Sequence, residues 1–97
     1  MNPTIAKTRY VYTTADVNNG YAVIPVVWRV QMNGDYVINW SIEDKDADIN
    51  LDYFQGDMHA VTPTGFDAVV YAYSPGYGTA GDIIVVHACA WQWNSGT

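Results

Sequence analysis

A chain of 97 residues is long enough to bury a hydrophobic core without a metal, and its single cysteine, Cys89, excludes a disulfide within the chain. Hydrophobic residues make up 49% of the composition and charged residues only 14%, which favours a chain that covers part of its surface against other subunits. The net charge is −6 and the four basic residues are scattered, so we exclude a nucleic-acid partner, which requires clustered positive charge.

No apolar run approaches the roughly 18 residues that a membrane span requires. The longest, residues 82–91, has the length of a strand and contains a histidine. The first ten residues, MNPTIAKTRY, contain no apolar segment of the kind found in secretory signals. We therefore expect a chain that is made in a cytoplasm and has no membrane partner.

Apolar and polar residues alternate with a period of two along most of the chain, and turn residues interrupt the alternation, which predicts β-strands. We expect the first strand at residues 9–14, after an extended N-terminal arm at residues 1–8, and then a turn in which Gly20 adopts a positive φ. The second strand, residues 21–31, places Pro25 at a sheet edge or a bulge, because proline has no amide hydrogen to donate.

The even residues of the second and third predicted strands form two apolar faces that we expect to point into the core. They are Ala22, Ile24, Val26, Trp28 and Val30 in residues 21–31, and Tyr36, Ile38, Trp40 and Ile42 in residues 35–43. A hairpin between these strands keeps both faces together if its loop is Met32-Asn33-Gly34, with Gly34 in the left-handed position of a bulge. That register places Trp28 opposite Ile38 and Val26 opposite Trp40.

The remaining predicted elements are strands at residues 47–54, 58–62, 66–73 and 82–93, turns at residues 55–57 and 63–65, and a glycine-rich loop at residues 74–81. The last strand is apolar on both faces, so it should lie in the centre of its sheet or under a neighbouring subunit. Seven short strands without a helical stripe predict an all-β fold. We expect one domain over residues 1–97, an antiparallel β-sandwich of jelly-roll or immunoglobulin-like topology.

Residues 44–52, DKDADINLD, carry an acidic or amide side chain at every second position. A calcium loop of the EF-hand type needs glycine at its sixth position and a bidentate glutamate at its twelfth, where this chain has Ile49 and Gln55. The intervening side chains are mostly apolar, so the stretch is typical of a strand with one solvated acidic face. A calcium site that uses Asp44, Asp46 and a neighbouring loop is the alternative.

We expect no catalytic residue, no cofactor and no metal. His87 and Cys89 point to the same side of the last strand, and His59 could complete a set of three zinc ligands, but the usual zinc spacings are absent. A structural histidine and an inert thiol are the plainer interpretation, since Cys89 lies in an apolar run that does not activate a thiol. No serine lies in a recognisable nucleophile motif, and Glu43 is the only glutamate.

Aromatic residues are the strongest remaining signal, with four tryptophans and eight tyrosines. Trp91 and Trp93 lie on one side of the last predicted strand, and Tyr71 and Tyr73 lie on one side of the strand before it. Together with Tyr77 they could form a platform for stacking sugars, a protein interface, or the ordinary packing of a second sheet face. The sequence leaves these interpretations open.

The C-terminal half of the chain, from VTPTGFDAVVYAY to GTAGDIIVVHACAW, resembles small structural β-sandwich domains of tailed-bacteriophage virions. The likeness consists of the TPTG turn, an alternating strand, a glycine-rich loop and a final strand that ends near HAxA, and it extends over residues 36–92. It implies a capsid decoration (cement) protein or a fibre-like domain, oligomeric and without catalytic residues.

The resemblance thus implies a non-enzymatic protein of the capsid surface that binds and stiffens the outer lattice, with the major capsid protein or copies of itself as partner. The expected contact residues are Ile5, Lys7 and Arg9 in the N-terminal segment, and Tyr71, Tyr73, Tyr77, Trp91 and Trp93 near the C-terminus. The alternative is a carbohydrate- or receptor-binding module of a tail fibre, in which Tyr77, Trp91 and Trp93 stack on a glycan.

Overall fold

The computed structural model describes residues 3–33, 35–45, 54–72 and 79–92. Within them the chain forms β1 Thr4–Val11, α1 Thr14–Asn19, β2 Ala22–Val27, β3 Tyr36–Asp44, β4 Phe54–Thr62, β5 Gly65–Ala72 and β6 Ile83–Gln92. The strands pair into two antiparallel three-stranded sheets, which we call sheet A (order β1–β6–β3) and sheet B (order β2–β5–β4). The predicted all-β fold is therefore confirmed. Among the described residues no helix has the length and apolarity to cross a membrane.

The two sheets share one hydrophobic core, to which each contributes its inner face. The buried members of sheet A are Ala6, Ile84, Val86, Ala88 and Ala90, and those of sheet B are Ala22, Ile24, Val26, Phe66, Ala68 and Val70. The rings of Trp40 in β3 and Phe66 in β5 meet across the two sheets, with their centroids 5.7 Å apart. Each fully buried valine, isoleucine or phenylalanine contributes about 1.5–3 kcal/mol, so the inner faces supply most of the stabilisation.

Strand β6 lies between β1 and β3, which confirms that the last strand is central in its sheet. Its even residues face the core, and its odd residues form the middle of the outer face of sheet A. Val85 on that outer face is only 2% exposed, between Arg9 of β1 and Glu43 of β3 in the register. Two flanking ladders give the backbone of this apolar strand its hydrogen bonds on both sides.

The predicted N-terminal arm is paired where the structure describes it. Residues 4–8 form the first part of β1, which runs antiparallel to β6 from Thr4 opposite Ala90 to Val11 opposite Ile83. A free arm was expected because the segment has no strong alternation of its own. The apolar strand β6 nevertheless needs a second neighbour, and β1 supplies it.

Helix α1 replaces the predicted turn before the second strand. Its first turn has a capping box: the Thr13 hydroxyl accepts from the amide of Asp16, and the Asp16 carboxylate accepts from the amide of Thr13. The helix ends at Gly20, whose φ of 87° confirms the positive φ that we predicted there. The spacing of Thr13 and Asp16 is the sequence signal for this helix start. Because the helix begins at Thr14, the first strand ends earlier than predicted, at Val11.

The predicted hairpin between the second and third strands is wrong. β2 pairs with β5 and β3 pairs with β6, so the two strands belong to different sheets. After β2 the chain follows the β4–β5 turn, where the Trp28 amide donates to the Thr64 carbonyl at 2.9 Å and the Met32 amide donates to the Pro63 carbonyl at 2.8 Å. Trp28 stays buried as predicted, but Val30, which we expected in the core, is 64% exposed.

The predicted place of Pro25 is confirmed, because β2 is an edge strand of sheet B and the lost donor disrupts no inner ladder. The even residues of β3 also lie as predicted: Tyr36, Ile38, Trp40 and Ile42 all pack against the core. Alternation therefore gave the correct inner faces of these strands, although it gave the wrong partners.

The segment QGD, predicted as a turn at residues 55–57, lies inside β4. Gly56 faces the core opposite Val70, and a β-carbon built on it would lie 2.7 Å from Cη2 of Trp40. Glycine is therefore needed here for the close approach of an indole ring, and the chain does not turn. β4 continues to Thr62, with a register shift between His59 and Thr62, and the predicted turn at residues 63–65 joins it to β5.

Several predicted elements fall partly or wholly outside the described residues. Of the strand at residues 47–54 only residue 54 is described, and the loop at residues 74–81 is described only from residue 79. Gly34, residues 1–2 of the arm, and the last residues of the strands at 66–73 and 82–93 also lie outside.

Asp16 fastens helix α1 to sheet A. The Tyr10 hydroxyl donates to the Asp16 carboxylate at 2.5 Å, and the Tyr12 hydroxyl lies 3.4 Å from the Asp16 carbonyl. Burial, together with the hydrogen bond to the Asp16 carboxylate and the charge on it, raises the pKa of Tyr10 to about 12. The neutral phenol is thus favoured in the folded protein.

Replacing Gly56 with alanine should lower the free energy of unfolding by about 2 kcal/mol, as overpacking a filled core does. In a Trp40→Phe background the shorter ring removes the closest contact, so the same change should cost less. Urea unfolding of the wild type, both single variants and the double variant measures this coupling. Gly20→Ala is the control, since nothing lies within 4 Å of the position and its cost should not depend on Trp40. Strictly additive effects of Gly56→Ala and Trp40→Phe would contradict the packing described.

Tyr10→Phe should cost about 1 kcal/mol near neutral pH, because it removes a hydrogen bond from a half-buried hydroxyl to the buried Asp16 carboxylate. Because the pKa of Tyr10 is raised in the folded state, its contribution is complete below pH 10, its ordinary value, and is lost as the pH rises through about 12. The stability difference between wild type and variant should therefore shrink over this range. Urea midpoints measured from about pH 8 upward test this, and a difference that persists unchanged would contradict it.

Candidate functional site

The outer face of sheet A collects the odd-numbered side chains of three strands, and we call it the A face. Its members are Ile5, Lys7, Arg9 and Val11 of β1, Ile83, Val85, His87, Cys89 and Trp91 of β6, and Val37, Asn39, Ser41 and Glu43 of β3. Three of its large apolar residues are exposed to solvent: Ile5 by 65%, Val11 by 42% and Trp91 by 37%. Exposed apolar groups collected on one face of a sheet mark a surface that a partner can cover.

Four of the predicted contact residues lie on this one face. Ile5, Lys7 and Arg9 alternate along β1, and Trp91 lies near the end of β6, opposite Val37 of β3. They share the face because β1 and β6 are neighbours and directly opposite residues of a ladder point to the same side. The pairing of the first strand with the last thus joins two regions that the sequence indicated separately.

The other predicted contact residues do not join them. Tyr71 is half-buried on the outer face of sheet B, because β5 and β6 belong to different sheets. Tyr71 and Trp91 therefore cannot form one platform. Tyr73, Tyr77 and Trp93 lie outside the described residues.

The outer face of sheet B, which we call the B face, is the counterpart of the A face. Its members are Val23, Pro25 and Val27 of β2, Asp67, Val69 and Tyr71 of β5, and Gln55, Asp57 and His59 of β4. Val23 is 45% exposed and Val27 is 67% exposed. Both outer faces therefore combine exposed aliphatic side chains with charged ones.

Lys45 and His87 both contact Glu43, the acidic residue of the A face. The His87 Nε2 donates to Glu43 Oε1 at 2.7 Å, and the Lys45 ammonium lies 3.1 Å from Glu43 Oε2. The hydrogen bond from His87, followed by that from Lys45, lowers the pKa of the Glu43 carboxyl. No described carboxylate pairs with Lys7 or Arg9, so the A face is positively charged on a protein whose net charge is −6.

A shallow depression of about 340 Å³ lies in the middle of the A face. The A-face side chains around it are Ile5, Lys7, Asn39, Ser41, His87 and Cys89. The depression is wide open and mixes apolar, amide, hydroxyl and cationic groups. Such a hollow suits a side chain of a docked partner better than an enclosed substrate.

The residues considered as zinc ligands are on opposite sides of the molecule. His59 lies on the B face, whereas His87 and Cys89 lie on the A face. In the parts of the chain that the structure describes, no three His, Cys, Asp or Glu side chains are grouped so that they could hold a metal ion. Asp44 ends β3 opposite Ile84, and Asp46, Asp48, Asn50 and Asp52 lie outside the described residues.

Comparison with known proteins adds no relative: no family model, no curated protein and no solved structure matches the chain. A function for it has to be inferred from the chemistry of its own surfaces.

Sequence reasoning missed the polar part of the A face. Glu43 lies in β3, Lys45 directly follows that strand, and His87 lies in β6. The glutamate and the histidine are 44 residues apart in the sequence, and nothing in this spacing predicts their contact. Val11 was also missed as an exposed apolar member. The alternation of β1 and β3 was the available signal, but it becomes useful only when both strands are known to flank β6.

Replacing Glu43 with glutamine should reduce stability near neutral pH but not in acid. Because the pKa of Glu43 is lowered in the folded state, its contribution is present above its ordinary value of 4.5 and is lost as the pH falls through the lowered value. The gap in urea midpoint between wild type and Glu43→Gln should therefore close as the pH falls from 4.5 through the lowered pKa of Glu43. Ser41→Ala, a neighbour that carries no charge, is the control and should give a difference that does not vary with pH.

Proposed function

We propose that the chain is a non-enzymatic structural protein of a phage virion, located at the capsid surface as a decoration protein. We further propose that the A face is its docking surface for a neighbouring protein subunit. Two antiparallel sheets around a common core fit a β-sandwich of the jelly-roll or immunoglobulin-like kind, which is the fold that the resemblance implies. The virion assignment itself rests on that resemblance.

The observation that carries the docking role is the composition of the A face. Exposed Ile5, Val11 and Trp91 lie on the same surface as Lys7 and Arg9. Tryptophan and arginine are the residue types that most often dominate binding energy at protein interfaces, and apolar side chains around them exclude water. A substrate-binding role has less support, since the depression on this face is shallow and the His87 ring is engaged with Glu43.

The size of the A face sets the strength of one contact. A three-stranded face about eight residues long spans roughly 14 by 26 Å, or on the order of 370 Å² in projection. Typical stable interfaces bury about 800 Å² on each partner. A single contact through this face is therefore weak. On a lattice that offers many sites, each bound contact raises the effective concentration of the neighbouring groups, so that many weak contacts bind stably together.

A decoration protein of this kind would act as a layer of cross-links. Each copy contributes a small gain from covering apolar surface, about 25 cal/mol per Å², and part of that gain is lost in ordering side chains. Summed over a lattice, such contacts oppose the separation of capsid subunits. The activity expected is mechanical and thermal stabilisation of the particle.

Mass spectrometry of purified virions encoded by the same genome should detect the chain. Virions produced from a genome in which the gene is deleted should assemble, but they should release their DNA at a lower temperature, or after a milder osmotic shock, than wild-type virions. Adding the purified protein should restore resistance, and Ile5→Asp should restore less of it than Val17→Asp, an exposed apolar control on α1 away from the A face. Absence of the chain from virions would refute the assignment.

The carbohydrate-binding alternative has one observation in its favour, the exposure of Trp91 on the A face. It requires affinity of the isolated chain for a glycan that Trp91→Ala abolishes. A glycan array with the wild type and this variant is the experiment to make if virions do not contain the chain.

A further inference from the structure

We infer that the partner of the A face is the B face of a second copy of this chain, so that copies stack head to tail. This inference names the partner for the docking role proposed above. It rests on that role for the A face and does not depend on where the assembly is located.

The two outer faces carry charges of opposite sign. Among the described residues, the A face has Lys7 and Arg9 without a carboxylate partner, and its Glu43 is paired with Lys45 and hydrogen-bonded to His87. The B face has Asp57 and Asp67, with His59 opposite Asp67 in the register. A cationic face and an anionic face on opposite sides of one body are complementary between copies.

The spacing of the charges also matches. Lys7 and Arg9 are two residues apart on one strand, which separates their positions by about 7 Å. Asp57 lies opposite Val69, two residues from Asp67, so the two aspartates are diagonal neighbours across β4 and β5. Diagonal neighbours are about 7–8 Å apart, so both cations can face both carboxylates at once.

Apolar side chains flank the charges on both faces. On β1, Ile5 and Val11 lie on either side of the Lys7–Arg9 pair, exposed by 65% and 42%. On the B face, Val23 and Val27 of β2 are exposed by 45% and 67%. Contact between the two faces would remove these apolar groups from water and bring the paired charges into a drier surrounding, where their attraction is stronger.

Charge decides the arrangement of copies. Two A faces in contact would oppose cation to cation, and two B faces would oppose carboxylate to carboxylate. Contact of A with B avoids both, and it is heterologous, so repetition generates a ring or an open string and not a closed pair. A string or ring of weakly joined copies can cover a curved lattice.

The test uses two charge-reversal variants of the full chain. The A-face variant is Lys7→Glu with Arg9→Glu, and the B-face variant is Asp57→Lys with Asp67→Lys. All four side chains lie on outer faces, away from the core, and circular dichroism with thermal melting checks that both variants fold. Arg29→Glu, on an exposed connection outside both faces, is the control, because it reverses a charge in the same direction as the A-face variant without altering either face.

Sedimentation velocity over a hundredfold range of concentration should show self-association of the wild type and of Arg29→Glu, weakened by added salt. Each charge-reversal variant alone should stay monomeric. An equimolar mixture of the two should associate again, because the normal A face of one variant meets the normal B face of the other, and the two reversed faces also have opposite charge.

Three outcomes would overturn the inference. The first is a wild type that stays monomeric at every concentration, and the second is a mixture that does not associate although the wild type does. The third is a B-face variant that still associates while the A-face variant does not, which would indicate contact between two A faces. None of these results bears on whether virions contain the chain. A chain found in virions but monomeric in solution would keep the proposed function and reject only the identity of its partner.

Discussion

The contact between the Trp40 ring of sheet A and the Phe66 ring of sheet B is the constraint on which the two-layer arrangement depends. It is possible only because residue 56 has no side chain, since a β-carbon there would lie 2.7 Å from the indole ring. Trp28 extends the cluster, with its ring 5.7 Å from Phe66, and its indole nitrogen donates to the Tyr36 hydroxyl at 3.1 Å. The Tyr36 hydroxyl in turn donates to the carbonyl of Thr62 at 2.5 Å. Aromatic packing and one chain of hydrogen bonds thus join both sheets at the same place.

Fixing the sheets back to back also fixes what the outer faces can do. The aliphatic residues at the even positions of β2 and β6 are buried in the inner faces, so the odd positions face solvent or a partner. On the A face the odd positions of β1 carry two cations, and on the B face those of β4 and β5 include two aspartates. A two-layer body with opposite charge on its two sides is suited to repeated contact with copies of itself. The proposed head-to-tail contact between copies uses this property.

The edges of the sheets are less suited to contact than the faces. β2 carries Pro25, and β4 has its register shift beside Ala60, whose φ of 52° lies in the left-handed region. β1 places Lys7 and Arg9 along the edge of sheet A. Proline, irregular backbone and charge all discourage the addition of a further strand. These three edges are therefore less suited to association than the two faces.

The sequence by itself determined the class of the fold, the direction in which most strand side chains point, the edge position of Pro25 and the central position of the last strand. Each of these follows from alternation or from the chemistry of one residue, and both are local properties. Only the tertiary structure decided which strands are neighbours. In it β2 and β3 lie in different sheets, β1 pairs with β6, and Tyr71 and Trp91 lie on different faces. Gly56 shows why: in the sequence it is typical of a turn, and its actual role depends on a tryptophan that lies 16 positions earlier and on another sheet. The choice of partner strand is a property of the whole core, because alternation is equally satisfied by any neighbour whose apolar face points the same way.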